Sequence, residues 1–197
     1  MTRPASYLSR SYTGTCRGGR AMRIDIGCGT REQKYAGCIG LDINPRNEPD
    51  IVSDCNDPLP FQDETVEFIN SDNSLEHVLR PYDLLREMHR VLIPEGTVRL
   101  VVPNARFLPV VLVNVVWDLD AAWHWWMSLP FKRERGVHWT HFTRNLAVRM
   151  VEAAGFRVDR LKANLLTKNI ELTLSKCATP SSVRHGHTGR DASDGSV

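Results

Sequence analysis

The sequence predicts an α/β protein built on a parallel, doubly wound sheet. Short apolar runs alternate with crossover segments along most of the chain, and strands joined by crossovers pair in parallel. The first run, Arg23-Ile24-Asp25-Ile26, passes directly into Gly27-Cys28-Gly29-Thr30. That is a strand-to-turn corner whose glycines let the backbone approach a ligand closely. The last two runs are separated only by a short loop, which predicts an antiparallel hairpin.

Residues 24–27, 38–43 and 50–54 read as three successive short strands, and 66–71 as a fourth. Only residues 28–36 lie between the first two, close to the shortest length that crosses over between parallel strands. The first helix is therefore one or two turns, or an irregular loop. A turn is expected over 73–79, and Pro81 suits the first position of a helix because its missing N–H costs nothing there. Leu84, Leu85, Met88, Val91 and Leu92 recur at helical spacing, Pro94 and Gly96 end the helix, and 98–102 is a fifth, buried strand. Thr143 caps a second helix whose Leu146, Met150 and Ala154 share one face and whose stop is Gly155. Residues 156–163 and 170–175 supply the final strands.

A chain of 197 residues suits one domain with a substantial core. With 25 basic and 23 acidic residues the net charge is +2, too small for a nucleic-acid footprint. Residues 1–20 form an Arg-rich, polar leader without the apolar centre of a signal peptide, and 177–197 a polar tail. Both are read as disordered ends of a body spanning 21–176. Five cysteines with no C-x-x-C pair signal neither zinc nor a disulfide framework, so reduced thiols and a cytoplasmic location are expected. The apolar stretch from Phe107 is interrupted by Asp118, Asp120 and His124, short of the roughly 20 residues that cross a bilayer. No stable membrane insertion is expected.

Several motifs follow one another in a telling order. They are D-I-G-C-G-T at 25–30, G-L-D-I-N at 40–44, D-C-N-D-P-L-P-F at 54–61 and S-L-E-H-V at 74–78. Then come R-E-M-H-R-V-L-I-P-E-G-T at 86–97, V-V-P-N at 101–104, and H-F-T at 141–143 ahead of A-G-F. The set resembles the class I S-adenosylmethionine-dependent methyltransferases, in particular the small branch of the type 11 family. The resemblance covers roughly residues 22–175. It implies a Rossmann-like sheet of seven strands, six parallel and one antiparallel, with strand seven beside strand five. It also implies S-adenosylmethionine as cofactor, S-adenosylhomocysteine as product, and a small-molecule acceptor methylated on oxygen or nitrogen.

Residue by residue, the resemblance places Gly27, Cys28 and Gly29 along the methionine and ribose portion. Asp25 holds the loop and reaches the amino group through water. Asp42 accepts from the ribose hydroxyls, Ile43 packs on adenine, Asp54 accepts from its exocyclic amine, with Asp57 as the alternative partner, and the Cys55 N–H meets a ring nitrogen. The Ser71 carbonyl is the expected acceptor for the methionine ammonium. Arg31 stands where the longer G-x-G-x-G pattern has its third glycine and is a candidate for the cofactor carboxylate. A sulfonium methyl is already electrophilic, so the protein mainly aligns an acceptor. His77, His138 and His141 are the candidate catalytic residues. His138 and His141 form H-x-x-H, but no third ligand can be nominated, so no metal site is expected.

The segment 105–140 holds all five tryptophans, Trp117, Trp123, Trp125, Trp126 and Trp139. Aromatic walls suit an acceptor pocket or lid; packing on the sheet or a homodimer contact is the competing reading. Two other function classes share parts of the pattern. A nicotinamide-dependent oxidoreductase has the same corner, but Glu32 occupies the place of its third glycine. A non-catalytic, partner-binding member of the methyltransferase fold is favoured by the short first crossover and opposed by Asp25, Gly27, Gly29 and Asp42.

Overall fold

The computed structural model describes residues 21–107 and 139–177. The leader, the tail beyond 177, His138 and the tryptophans at 117, 123, 125 and 126 lie outside the described residues.

Seven strands form one sheet: β1 Met22–Ile26, β2 Ile39–Asp42, β3 Ile51–Val52, β4 Val66–Asp72, β5 Leu92–Pro103, β6 Phe156–Lys162 and β7 Asn169–Lys176. Their order is β3-β2-β1-β4-β5-β7-β6. The first five pair in parallel, and β7 runs antiparallel between β5 and β6. This is the sheet the resemblance implied, hairpin included.

The register sorts the side chains into two unlike faces. Ile24 and Ile26 align with Ile69 and Ser71, these with Val98 and Leu100, and these with Leu174 and Leu172. Helices α1, Pro81–Val91, and α2, Arg144–Ala153, join this apolar layer through Leu84, Leu85, Met88, Val91, Ala147 and Val151. The opposite face carries Arg23, Asp25, Phe68, Asn70, Asp72 and Arg99. The first crossover contributes turns and no helix, so nothing apolar is required there. Arg23 lies 4.6 Å over the Phe68 ring, Phe68 is 5.5 Å from Tyr35, and Arg99 donates to Asn70 at 2.8 Å and Asp72 at 3.0 Å.

Two expectations shift, and the open choice at the first crossover is resolved. Helix α1 does end before Pro94 and Gly96, but Leu92 already pairs with Val66, so both residues sit inside β5 in a bulge. Glu95 there has φ +63°, and a Cβ on Gly96 would lie 2.9 Å from the Ile93 carbonyl. On α2 the buried residues are Ala147 and Val151, with Ala154 beyond, while Leu146 is 38% exposed. The hydrogen bond from the Leu146 N–H to the Thr143 hydroxyl, 3.3 Å, confirms the cap. The first crossover takes the irregular form: the Gln33 and Lys34 N–H groups both return to the Thr30 carbonyl.

Candidate active site

The strand order reverses between β1 and β4, and ligands of open α/β sheets bind beyond the carboxyl ends of the strands at such a point. There β1 hands over to Gly27 and Gly29, with φ of +66° and +64°. A Cβ on Gly27 would come within 2.7 Å of the Ser74 Cβ. Ser74 is fixed in turn, its hydroxyl 2.8 Å from the Ile26 carbonyl. The loop is then strapped to β2. The Cys28 N–H donates to the Leu41 carbonyl at 3.0 Å, and the Gly29 N–H to Asp42 Oδ2 at 2.9 Å. Burial pushes the Cys28 thiol up to about 12, so it packs as a neutral group.

Asp42 is 9% exposed and also accepts from the Asn44 N–H at 2.8 Å. A carboxylate has about four lone-pair sites, so two remain for hydroxyl donors. Ile43, next in the chain, is 62% exposed, an apolar side chain standing at the strand end. Asp25 lies deeper than Asp42, at 2% exposed. Its Oδ2 takes the Tyr35 N–H at 2.7 Å and its Oδ1 the Asn70 amide at 2.6 Å. Burial, partly offset by these bonds, holds its pKa above the usual carboxylate value. Arg31 is exposed in the turn beyond Gly29, where its charge helps lower the pKa of Asp50. Asp50 itself accepts from the Gly40 N–H and from Lys34.

The next loop is built by Asp54, whose Oδ1 takes both the N–H and the side-chain amide of Asn56. Asn56 Oδ1 accepts the Leu79 N–H at 2.9 Å, tying this loop to the turn after β4. The Cys55 thiol is pushed up to about 12 by burial. The L-P-F run that follows is held by Arg90, which donates to the carbonyls of Leu59 and Phe61 and to Glu87, while Glu87 takes the Leu59 N–H. A groove of about 500 Å³ runs between Cys55–Pro58 and α1. Glu87 and Arg90 in its wall are thus committed to holding the loop.

Beyond β4 a 3-10 turn, Leu75–His77, faces the glycine loop through Ser74. Glu76 in it is 1% exposed. Its carbonyl accepts the Trp139 N–H at 2.8 Å, which brings the segment carrying His141 to the turn carrying His77. Glu76 Oε1 lies 4.0 Å from His77 Nε2, whereas Oε2 and the hydroxyl of fully buried Ser71 have no hydrogen-bond partner among the described residues. Burial, with Asp72 adding to it, raises the Glu76 pKa to about 7.

A carboxyl whose folded pKa is raised binds its proton more tightly in the native state. Its contribution is fully present below the unfolded value of 4.5 and is lost as pH rises through about 7. At most about 3 kcal/mol is at stake. Chemical denaturation should therefore show Glu76→Gln gaining stability relative to wild type between pH 5 and 8. Parallel pH curves for the two proteins would contradict this.

The structure brings Asp25, Gly27, Cys28, Gly29, Asp42, Ile43 and Ser71 to one end of the sheet. Sequence reasoning assigned no role to Ser74, Asn70 or Asn56, although Ser74 and Asn56 lie inside the quoted motifs. It used Glu76 only as a neighbour of His77. Among the described residues no cluster of three or more His, Cys, Asp or Glu side chains could hold a metal ion.

Sheet order and glycine corner together define a class I, Rossmann-like methyltransferase fold. The family described as "Methyltransferase domain" matches residues 18–161, and the chain belongs to it. No curated protein matches the sequence. Solved structures give the same fold at low identity. A chain of the Haloferax volcanii complex between the Trm112 methyltransferase activator and a methyltransferase is 17% identical, with TM-score 0.58, over 81% of this chain and 83% of that one. An S-adenosylmethionine-dependent methyltransferase from Mesorhizobium loti is 15% identical, with TM-score 0.56, over 79% and 91%. One from Methanosarcina mazei is 18% identical, with TM-score 0.55, over 81% and 93%.

The cofactor of this family is S-adenosylmethionine, and the site fits it. Two left-handed glycines turn the backbone at the end of β1, Asp42 has lone pairs to spare beside them, and Ile43 offers an exposed apolar surface.

Proposed function

We propose that this protein transfers a methyl group from S-adenosylmethionine to an oxygen or nitrogen of a small molecule. The observation that carries the proposal is the Asp42 carboxylate clamping the Gly29 N–H at 2.9 Å beside Gly27 and the exposed Ile43. In this reading Asp42 takes the ribose hydroxyls, Ile43 and the Cys55 N–H take the adenine, and Asp54 takes its amine. Asp25 keeps the loop in place from beneath. Arg31 serves the carboxylate. The cofactor supplies the electrophilic methyl; the chain orients the acceptor and excludes water around it.

His77 and His141 lie on two segments joined through the Glu76 carbonyl, and together with His138 they are assigned to contact the acceptor and take its proton where it has one. In this reading segment 105–140 serves as the acceptor pocket or lid of a unit spanning 21–176, and the protein works in the cytoplasm. Among the described residues no helix is long and apolar enough to cross a membrane.

Calorimetric titration with S-adenosylmethionine, S-adenosylhomocysteine and NAD tests this. Binding of the first two without NAD is expected. Binding of NAD alone would move the protein to the oxidoreductases, and binding of none would make it a partner-binding member of the fold.

A further inference from the structure

Asp25, the acidic residue closest in sequence to the glycine loop, already takes one donor on each oxygen, the Tyr35 N–H and the Asn70 amide. Asp72 at the end of β4 is paired with Arg99 at 3.0 Å. Asp42 is strapped to the Gly29 and Asn44 N–H groups at the ribose side. Glu76 remains. Its turn packs on Gly27 through Ser74, and its carboxyl is 1% exposed, with Oε2 lacking a partner among the described residues. Leaving such an acceptor unsatisfied costs about 1–3 kcal/mol, and each such group calls for an explanation, a catalytic role or a bound water or ion among them. Ser71, whose hydroxyl shares that condition, lies near the end of β4, five residues before Glu76.

We propose that Glu76 is the anionic partner of the ammonium group on the methionine moiety of the cofactor. The proposal rests on S-adenosylmethionine being the cofactor. The titratable side chains around Glu76 are Asp72, which opposes its ionisation, and His77 at 4.0 Å. With its pKa lifted to about 7 by burial, the carboxyl stands to gain from a cation beside it.

The test compares S-adenosylhomocysteine with its deamino analogue, in which hydrogen replaces the ammonium group, on wild type and Glu76→Gln by calorimetry. Wild type should prefer S-adenosylhomocysteine about 10- to 100-fold, the range of one hydrogen bond between charged groups. Glu76→Gln should bind the two ligands alike, while its affinity for the analogue stays within about threefold of wild type. That unchanged affinity shows the site is still formed. A variant that keeps the preference, or loses both ligands in parallel, overturns the assignment. A wild type that binds neither overturns the cofactor reading as well.

Discussion

Asp42→Ala should weaken binding of S-adenosylhomocysteine by about 100-fold or more while leaving a folded protein. Two charge-assisted hydrogen bonds to ribose hydroxyls would be lost, each worth about 1.5–3 kcal/mol. A second loss adds to the first, because the same carboxylate holds the Gly29 N–H at 2.9 Å and the Asn44 N–H at 2.8 Å. Without it, among the described residues the glycine loop is held to β2 by the Cys28 to Leu41 bond. Asp42→Asn should be nearly as damaging. Both backbone groups are donors, and an amide presents only one acceptor atom to the two of them. The stability cost should be smaller than the binding cost, about 1–3 kcal/mol, since the freed N–H groups lie at the surface end of the strand. Titration calorimetry and denaturant melts on the same samples separate the two effects. A change in affinity of less than about threefold would remove Asp42 from the cofactor site.

The same residue shows what was legible in the sequence. Asp42 and Gly27 were readable because each belongs to a local pattern, an apolar run ending on an acid and an apolar run ending on Gly-x-Gly. Strand order beyond β5 came from the family resemblance. The β6–β7 hairpin was readable from a loop too short for a crossover. The partners of Asp25 are not legible in the sequence. They are the Tyr35 N–H and the Asn70 amide, 10 and 45 residues away. Glu76 was passed over for the same reason. Nothing within S-L-E-H-V says that a carboxylate there is buried, since its burial depends on packing with segments distant in the chain.

The helix faces expose a different limit. On α2, positions 146, 150 and 154 and positions 147, 151 and 154 are equally helical series, and only contact with the sheet selects the second. At the start of β5 the proline and glycine were correctly read as ending a helix. That the strand had already begun at Leu92 depends on its pairing with Val66 and on the Lys176 ammonium, 2.7 Å from the Leu92 carbonyl. Both are long-range contacts without a local signature.

Gly27→Ala should be a severe change for one added methyl. An L-residue at φ +66° costs about 1–2 kcal/mol before any contact is considered. The new Cβ would also lie 2.7 Å from the Ser74 Cβ and closer still to its hydroxyl. Ser74 has little freedom to withdraw. Its hydroxyl is bonded to the Ile26 carbonyl at 2.8 Å, and the preceding Asn73 is held at φ +50° with its N–H on the Val101 carbonyl. The sum is about 2–4 kcal/mol of lost stability, accompanied by loss of cofactor affinity because the displaced loop carries the Gly29 N–H. Pairing the change with Ser74→Gly divides the cost. The double variant escapes the overlap but keeps the backbone strain, so a double-mutant cycle in denaturant should return a coupling of about 1 kcal/mol or more in favour of the pair. Strict additivity would mean that the left-handed backbone alone makes glycine necessary, and that the turn after β4 does not shape the cofactor loop.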